Sequence, residues 1–108
     1  MENLRILYVT TSSKQQARDI GSVLVKNKLC ACVNIIDGME SLYWWNGEVQ
    51  SDNECVLLVK TTQEMVPKVT QSIKSHHSYD VPCVISLPLS VKEGNADYLN
   101  WLRDSVAG

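Results

Sequence analysis

The chain has 108 residues, of which 44% are hydrophobic and 20% charged, with a formal net charge of −2 and a pI near 5.6. That length fits one domain, and the composition excludes a largely disordered chain. Its scattered Lys and Arg form no basic stripe of the kind that displaces counterions from phosphates, so nucleic acid is not an expected partner. The opening Met-Glu-Asn-Leu-Arg leads into an apolar run too short for a signal peptide or a membrane span, so the cytoplasm is the expected setting and no membrane partner is expected. In that compartment Cys30, Cys32, Cys55 and Cys83 are expected as thiols rather than as a disulfide framework.

Leu4 to Thr10 is rich in β-branched and aromatic residues and reads as a first strand. Ser13, with Gln16 three residues later, fits a capping box for a helix over Lys14 to Lys28, with Ala17, Ile20 and Leu24 on its apolar face. Leu29 to Ile36 reads as a second strand that resumes from Met39 to Trp45 after a bulge or bend at Asp37-Gly38. Asn46-Gly47 then supplies the two positive-φ positions of a type I′ turn, the strongest short-range signal in the sequence. The return strand starts at Glu48, loosens over Ser51-Asp52-Asn53 and becomes a buried run from Cys55 to Val59.

Thr62 to Ser75 is helical, with Val66, Val69 and Ile73 on one face and Pro67 tolerated in the first turn. His76-His77-Ser78 ends it, Cys83 to Leu89 is a last strand, and Asn95 caps a terminal helix with Tyr98, Leu99, Leu102 and Val106 on its apolar side. The order βαββαβ plus a helix predicts a ferredoxin-like α+β fold: an antiparallel four-stranded sheet with both main helices on one face.

The central hairpin is long for its domain. Cys32 to Trp45 spans roughly 45 Å if straight, against a diameter of about 35 Å for a compact chain of this size. Across the turn Trp45 faces Glu48, Trp44 faces Val49 and Tyr43 faces Gln50, so large aromatic residues lie on both faces of a protruding arm. An exposed patch of that kind points to self-association, with Tyr43, Trp44 and Trp45 at the interface, although the same residues could instead cover the chain's own helices.

Several spaced strings carry a resemblance. Cys32-Val33-Asn34, Tyr43-Trp44-Trp45-Asn46-Gly47, Leu58-Val59-Lys60-Thr61, His77-Ser78-Tyr79-Asp80-Val81-Pro82 and Asp97-Tyr98-Leu99 occur in an order that resembles the CutA divalent-cation-tolerance family. Its usual strings are Ala-Cys-Val-Asn, Tyr-Trp-Trp-x-Gly and His-Pro-Tyr-Glu-Val-Pro. The resemblance implies assembly as a homotrimer through the long strands, an architecture similar to PII-type signalling proteins, and binding of copper or another divalent metal ion. This chain has Ser78 and Asp80 where the family usually has Pro and Glu. It has Val9 where some copper-associated members carry a cysteine, and it retains the accompanying histidines as His76 and His77.

The expected metal ligands are therefore His76 and His77, with Cys32 as a third, a donor set suited to copper or zinc rather than magnesium. Adjacent helical residues point about 100° apart, so the histidines could equally serve the helix C-terminus. Cys30 and Cys32 lie two apart on a strand and could bridge a soft ion or simply fill the core. Trp45, Glu54, Lys60 and Tyr79 are the expected lining of an intersubunit cleft, a place for a small ligand or partner in a PII-like alternative role. No organic cofactor is indicated. No nucleophile elbow, phosphate loop, Cys-x-x-Cys or His-Glu-x-x-His appears, so an enzyme is not expected.

Overall fold

The computed structural model describes residues 3–107. Strand β1 covers Leu4–Thr11, helix α1 Lys14–Lys26, strand β2 Cys32–Trp45 and strand β3 Glu48–Thr62. A single 3-10 turn, Gln63–Met65, leads into helix α2, Val66–His76; strand β4, Val84–Pro88, and helix α3, Ala96–Asp104, complete the chain. The sheet order is β2-β3-β1-β4 and every pairing is antiparallel, which is the ferredoxin-like arrangement expected from the element order.

Helix α1 starts where the serines place it. Ser13 Oγ accepts from the Gln16 amide at 3.1 Å, while Gln16 Oε1 reaches back to the amide and hydroxyl of Ser12, one residue earlier than in a reciprocal capping box. The helix stops two residues short of the expected Lys28. Lys28 adopts φ 56°, its amide bonds the carbonyl of Val25, and the Leu29 amide bonds that of Leu24. This is a Schellman closure with lysine in the left-handed position, and it turns Leu29 back onto the core.

The core lies on one face of the sheet. Leu7 and Val9 of β1 and Cys55, Leu57 and Val59 of β3 point toward Ala17, Ile20 and Leu24 of α1 and Val69 and Ile73 of α2. These residues alternate along each strand because successive side chains point to opposite faces. Glycine is needed at position 21 of α1, where a Cβ would lie 2.8 Å from Val33 Cγ2, so the helix rests close on β2.

Strand β3 runs unbroken through Ser51-Asp52-Asn53, where the sequence suggests loosening. These residues pair with Leu42, Ser41 and Glu40 in the part of the hairpin that extends beyond the helices, so their polarity reflects exposure and not a break. Between Ile36↔Val56 and Met39↔Glu54, β2 carries one residue more than β3, a bulge at Asp37-Gly38 with Gly38 at φ 83°. Asn46 (φ 52°) and Gly47 (φ 78°) make the expected turn, with Trp45↔Glu48, Trp44↔Val49 and Tyr43↔Gln50 in register. Strand β4 is one residue shorter at each end than Cys83 to Leu89.

Leu57 is fully buried at the centre of the core. Leu57→Ala is expected to lower unfolding free energy by about 2–5 kcal/mol, read as a shift in urea midpoint at fixed protein concentration.

Candidate functional site

Among the described residues, no helix covers most of the face of the sheet opposite α1 and α2. Cross-strand pairing assigns Ile6, Tyr8, Ile36, Leu58, Ile85 and Leu87 to this face, and Ile36, Ile85 and Leu87 are about half exposed. The bulge keeps Met39 on the same side as Ile36, so the apolar surface continues into Tyr43 and Trp45 on the arm. Trp45 is 54% exposed, and Trp44, Leu42 and Val49 on the arm's other face are 74%, 70% and 61% exposed. The molecule measures 44 × 27 × 22 Å, elongated for its size. Within one chain the aromatic residues therefore do not cover its own helices.

The two adjacent histidines do different work. His76 is the last residue of α2 and is exposed; its Nδ1 donates to the carbonyl of Ser72 at 2.7 Å, leaving the Nε2 lone pair directed away from the helix. His77 is half-buried and saturated by the chain. Its Nε2 donates to the Thr10 carbonyl at 2.8 Å and its Nδ1 accepts from the Tyr79 amide at 3.0 Å, pinning the end of α2 to β1. Neither nitrogen of His77 is available to an ion while both bonds stand.

Cys32 lies elsewhere. It pairs with Lys60, which pairs with Ile6, four residues along β1 from the Thr10 that anchors His77. That separation is about 13 Å along the strands alone, so Cys32 does not join the histidines within one chain. Among the described residues no group of three or more His, Cys, Asp or Glu side chains is placed to hold a metal ion. The four cysteines are free thiols, with Cys30 and Cys55 buried as small core residues. Cys83 is only half-buried, less enclosed than its apolar strand setting predicts.

The expected cleft residues share one face but not one pocket. Tyr79 Oη donates to Glu54 Oε2 at 3.0 Å, and Tyr43 Oη donates to Asp52 Oδ2. Trp45 sits opposite Glu48, six residues from Glu54 along β3, and Lys60 is six residues from Glu54 in the other direction. Each interval is about 20 Å, so these groups meet only if separate copies bring them together. Desolvation pushes the Tyr79 phenol up to about 12, and its hydrogen bond to Glu54 adds to the effect.

Tyr98, which the sequence places on an apolar helix face, instead makes polar contacts at the Lys60 end. Its hydroxyl accepts from Lys60 Nζ at 3.1 Å and lies 3.7 Å from Cys32 Sγ, while its ring packs tilted against that of Trp101, the centroids 5.4 Å apart. No local pattern marks this cluster, because its members come from three elements up to 66 residues apart.

These features coincide with a described group of proteins. The sequence profile of the family described as CutA1 divalent ion tolerance protein matches residues 5–105. The chain is 45% identical over 101 residues to the divalent-cation tolerance protein CutA of Thermus thermophilus, covering 94% of this chain and 96% of that protein. It is 44% identical to the chloroplastic protein CutA 1 of Oryza sativa subsp. japonica, again over 94% of this chain but only 56% of the relative, so it spans little more than half of that longer protein. The solved structure of the Thermus thermophilus protein superposes with a TM-score of 0.92 at 43% identity, covering 96% of this chain and 99% of that one. The fold and its long hairpin are those of a ferredoxin-like α+β domain with an added terminal helix. The chain belongs to the CutA1 divalent ion tolerance family.

The two histidines can be told apart by substitution. His77→Ala removes the anchor between the end of α2 and β1 together with the local bond to the Tyr79 amide and is expected to cost about 1–3 kcal/mol in denaturant unfolding, whereas exposed His76→Ala should stay within about 1 kcal/mol. Tyr79 gives a pH signature. Its phenol is raised from 10.0 to about 12 in the folded chain, so stability from the protonated form is fully present below pH 10 and is lost as pH rises through about 12. The stability difference between wild type and Tyr79→Phe, measured by urea unfolding, should therefore shrink across that window.

Proposed function

We propose that this chain works as a homotrimer in the cytoplasm that binds divalent or soft metal ions, copper among them, and takes part in the response to those ions without catalysing a reaction. The observation that carries the reading is the uncovered apolar face, which runs from Leu87 and Ile85 across Ile36 to Trp45 on the projecting hairpin. Large side chains bury 150–250 Å² each when enclosed, and at ~25 cal/mol per Å² the stabilisation from covering several of them favours association of copies.

Within this proposal, the ion is held by the outward Nε2 of His76, with further donors supplied when copies come together. Imidazole nitrogen suits copper and zinc. Family membership supports the link to divalent-cation tolerance. The cytoplasmic setting is supported by four unpaired thiols, which a reducing compartment keeps reduced.

A second reading follows from the polar groups on the same face. The Glu54–Tyr79 and Lys60–Tyr98 pairs lie about 20 Å apart on one copy, as separate charged stations beside apolar surface. A PII-like trimer would use such stations to hold a small ligand or partner between subunits.

Sedimentation velocity at micromolar concentration should show a trimer, and a monomer would refute the assembly. Titration calorimetry with Cu²⁺ and Zn²⁺ should show binding that His76→Ala weakens by on the order of tenfold or more, the loss of about 1.4 kcal/mol. Binding no tighter than that of an ordinary surface histidine, and unchanged in His76→Ala/His77→Ala, would remove the metal reading and leave the PII-like one.

A further inference from the structure

The tip of the hairpin carries a pair of residues that the site described above does not use. Asn46 and Gly47 are both exposed and form the two-residue turn between Trp45 and Glu48, at φ 52° and 78°. Seven asparagines occur in the sequence, and Asn46 is the one followed by glycine. A Cβ built on Gly47 would meet nothing within 4 Å, so no neighbouring group crowds that residue. Among the described residues, no hydrogen bond holds the Asn46 side chain. By contrast, Asn95 Oδ1 accepts from the Asp97 amide and Asp37 Oδ1 from the Gly38 amide, each at 2.9 Å.

An unbonded carboxamide followed by a residue without a Cβ can close on its own main chain, because glycine leaves the amide nitrogen unhindered. The folded turn must open for that nitrogen to reach Asn46 Cγ, and local opening costs least where few packed contacts are lost. Asn46 and Gly47 lie beyond the last cross-strand pair, Trp45↔Glu48, so the turn can rearrange while pairing further along the arm persists. The reacting atoms belong to the turn itself and not to the aromatic faces that association of copies would cover.

We propose that Asn46 is a modification site, converted with water to aspartate and isoaspartate through a cyclic imide with Gly47. The Gly47 nitrogen loses its proton to solvent base and attacks Asn46 Cγ. The N–Cγ bond forms as the Cγ–Nδ2 bond breaks, and the departing nitrogen takes a proton from solvent and leaves as ammonia. Water then opens the imide. Attack at Cγ breaks the new N–Cγ bond and gives aspartate. Attack at the Asn46 main-chain carbonyl breaks its bond to the Gly47 nitrogen and gives isoaspartate. Asparagine and water thus give acid and ammonia, with no change of oxidation state. Either product adds a carboxylate to a hairpin that already carries Asp37, Glu40, Glu48, Asp52 and Glu54 and has no Lys or Arg between Cys32 and Val59. The two products differ in their backbone. Aspartate accepts the left-handed conformation of the turn. Isoaspartate lengthens the main chain by one atom, which a two-residue turn cannot absorb in the Trp45↔Glu48 register. This chemistry rests on neither the metal reading nor the assembly reading.

The test incubates the native assembly at pH 8 and follows each asparagine by peptide mass spectrometry, with electron-transfer fragmentation to separate isoaspartate from aspartate. Asn46 is expected to convert at least about tenfold faster than Asn53, the exposed asparagine of the same arm that Glu54 follows. Isoaspartate should accompany aspartate among the products. Hydrogen exchange at the Trp45 and Glu48 amides should be about tenfold faster in the isoaspartate fraction than in Asn46→Asp, which carries the added charge alone. Conversion of Asn46 no faster than that of Asn53, or aspartate formed without isoaspartate, would overturn the proposal. Equal exchange in the isoaspartate fraction and in Asn46→Asp would overturn the loss of the turn. The rate comparison is made within the wild-type chain, so misfolding of a substituted chain cannot mask it.

Discussion

Helices α1 and α2 cover one face of the sheet, while β2 and β3 continue past them into an arm with large aromatic side chains on both sides. Most of the structure is shaped by this imbalance between the length of the hairpin and the reach of the helices. Where α1 and α2 lie, Leu7, Val9 and Thr11 of β1 and Cys55, Leu57, Val59 and Thr61 of β3 are buried to exclusion of solvent. Past the bulge, apolar side chains of similar size stand in water because no element among the described residues covers them. A sheet with one dry face and one apolar wet face is an incomplete two-layer domain.

The bulge and the turn keep the arm consistent with the sheet. One extra residue at Asp37-Gly38 lets β2 change direction while Ile36 and Met39 remain on the same side, so the uncovered surface is continuous through the bend. Gly38 is suited to that position because its φ of 83° is costly for a residue with a Cβ. At the tip, two residues with positive φ match the right-handed twist of the flanking strands, holding Trp44 and Trp45 in a defined register.

The chemistry of the chain depends on hydrogen bonds that assign each polar side chain a role. His76 and His77 are neighbours in sequence, yet one presents a ring nitrogen to solvent while the other ties β1 with one nitrogen and the adjoining loop with the other. The phenols behave similarly. Tyr79 and Tyr43 each tie a carboxylate on β3, while Tyr98 links a lysine to a thiol at the opposite end of the same sheet face. These contacts distribute charge along an otherwise apolar surface at separations too large for one pocket in one copy.

Much of the fold is legible from local rules. The alternation of apolar residues marks the strands, Ser13 and Asn95 mark helix starts, and Asn46-Gly47 marks the hairpin and its register, because each depends on backbone geometry over a few residues. The end of α1 is less legible, since a lysine in the left-handed position carries no signal of the kind glycine does. Polar Ser51-Asp52-Asn53 reads like a loosening only because exposure and irregularity leave the same mark on composition. The family, too, is recognisable from strings of residues alone. The candidate site is not. The sequence by itself names His76, His77, Cys32, Glu54, Lys60 and Tyr79, but only the tertiary structure decides that His77 is saturated, that Cys32 belongs with Lys60 and Tyr98, and that Glu54 belongs with Tyr79. Side-chain chemistry is set by neighbours within about 3–4 Å, and here those neighbours come from distant parts of the chain.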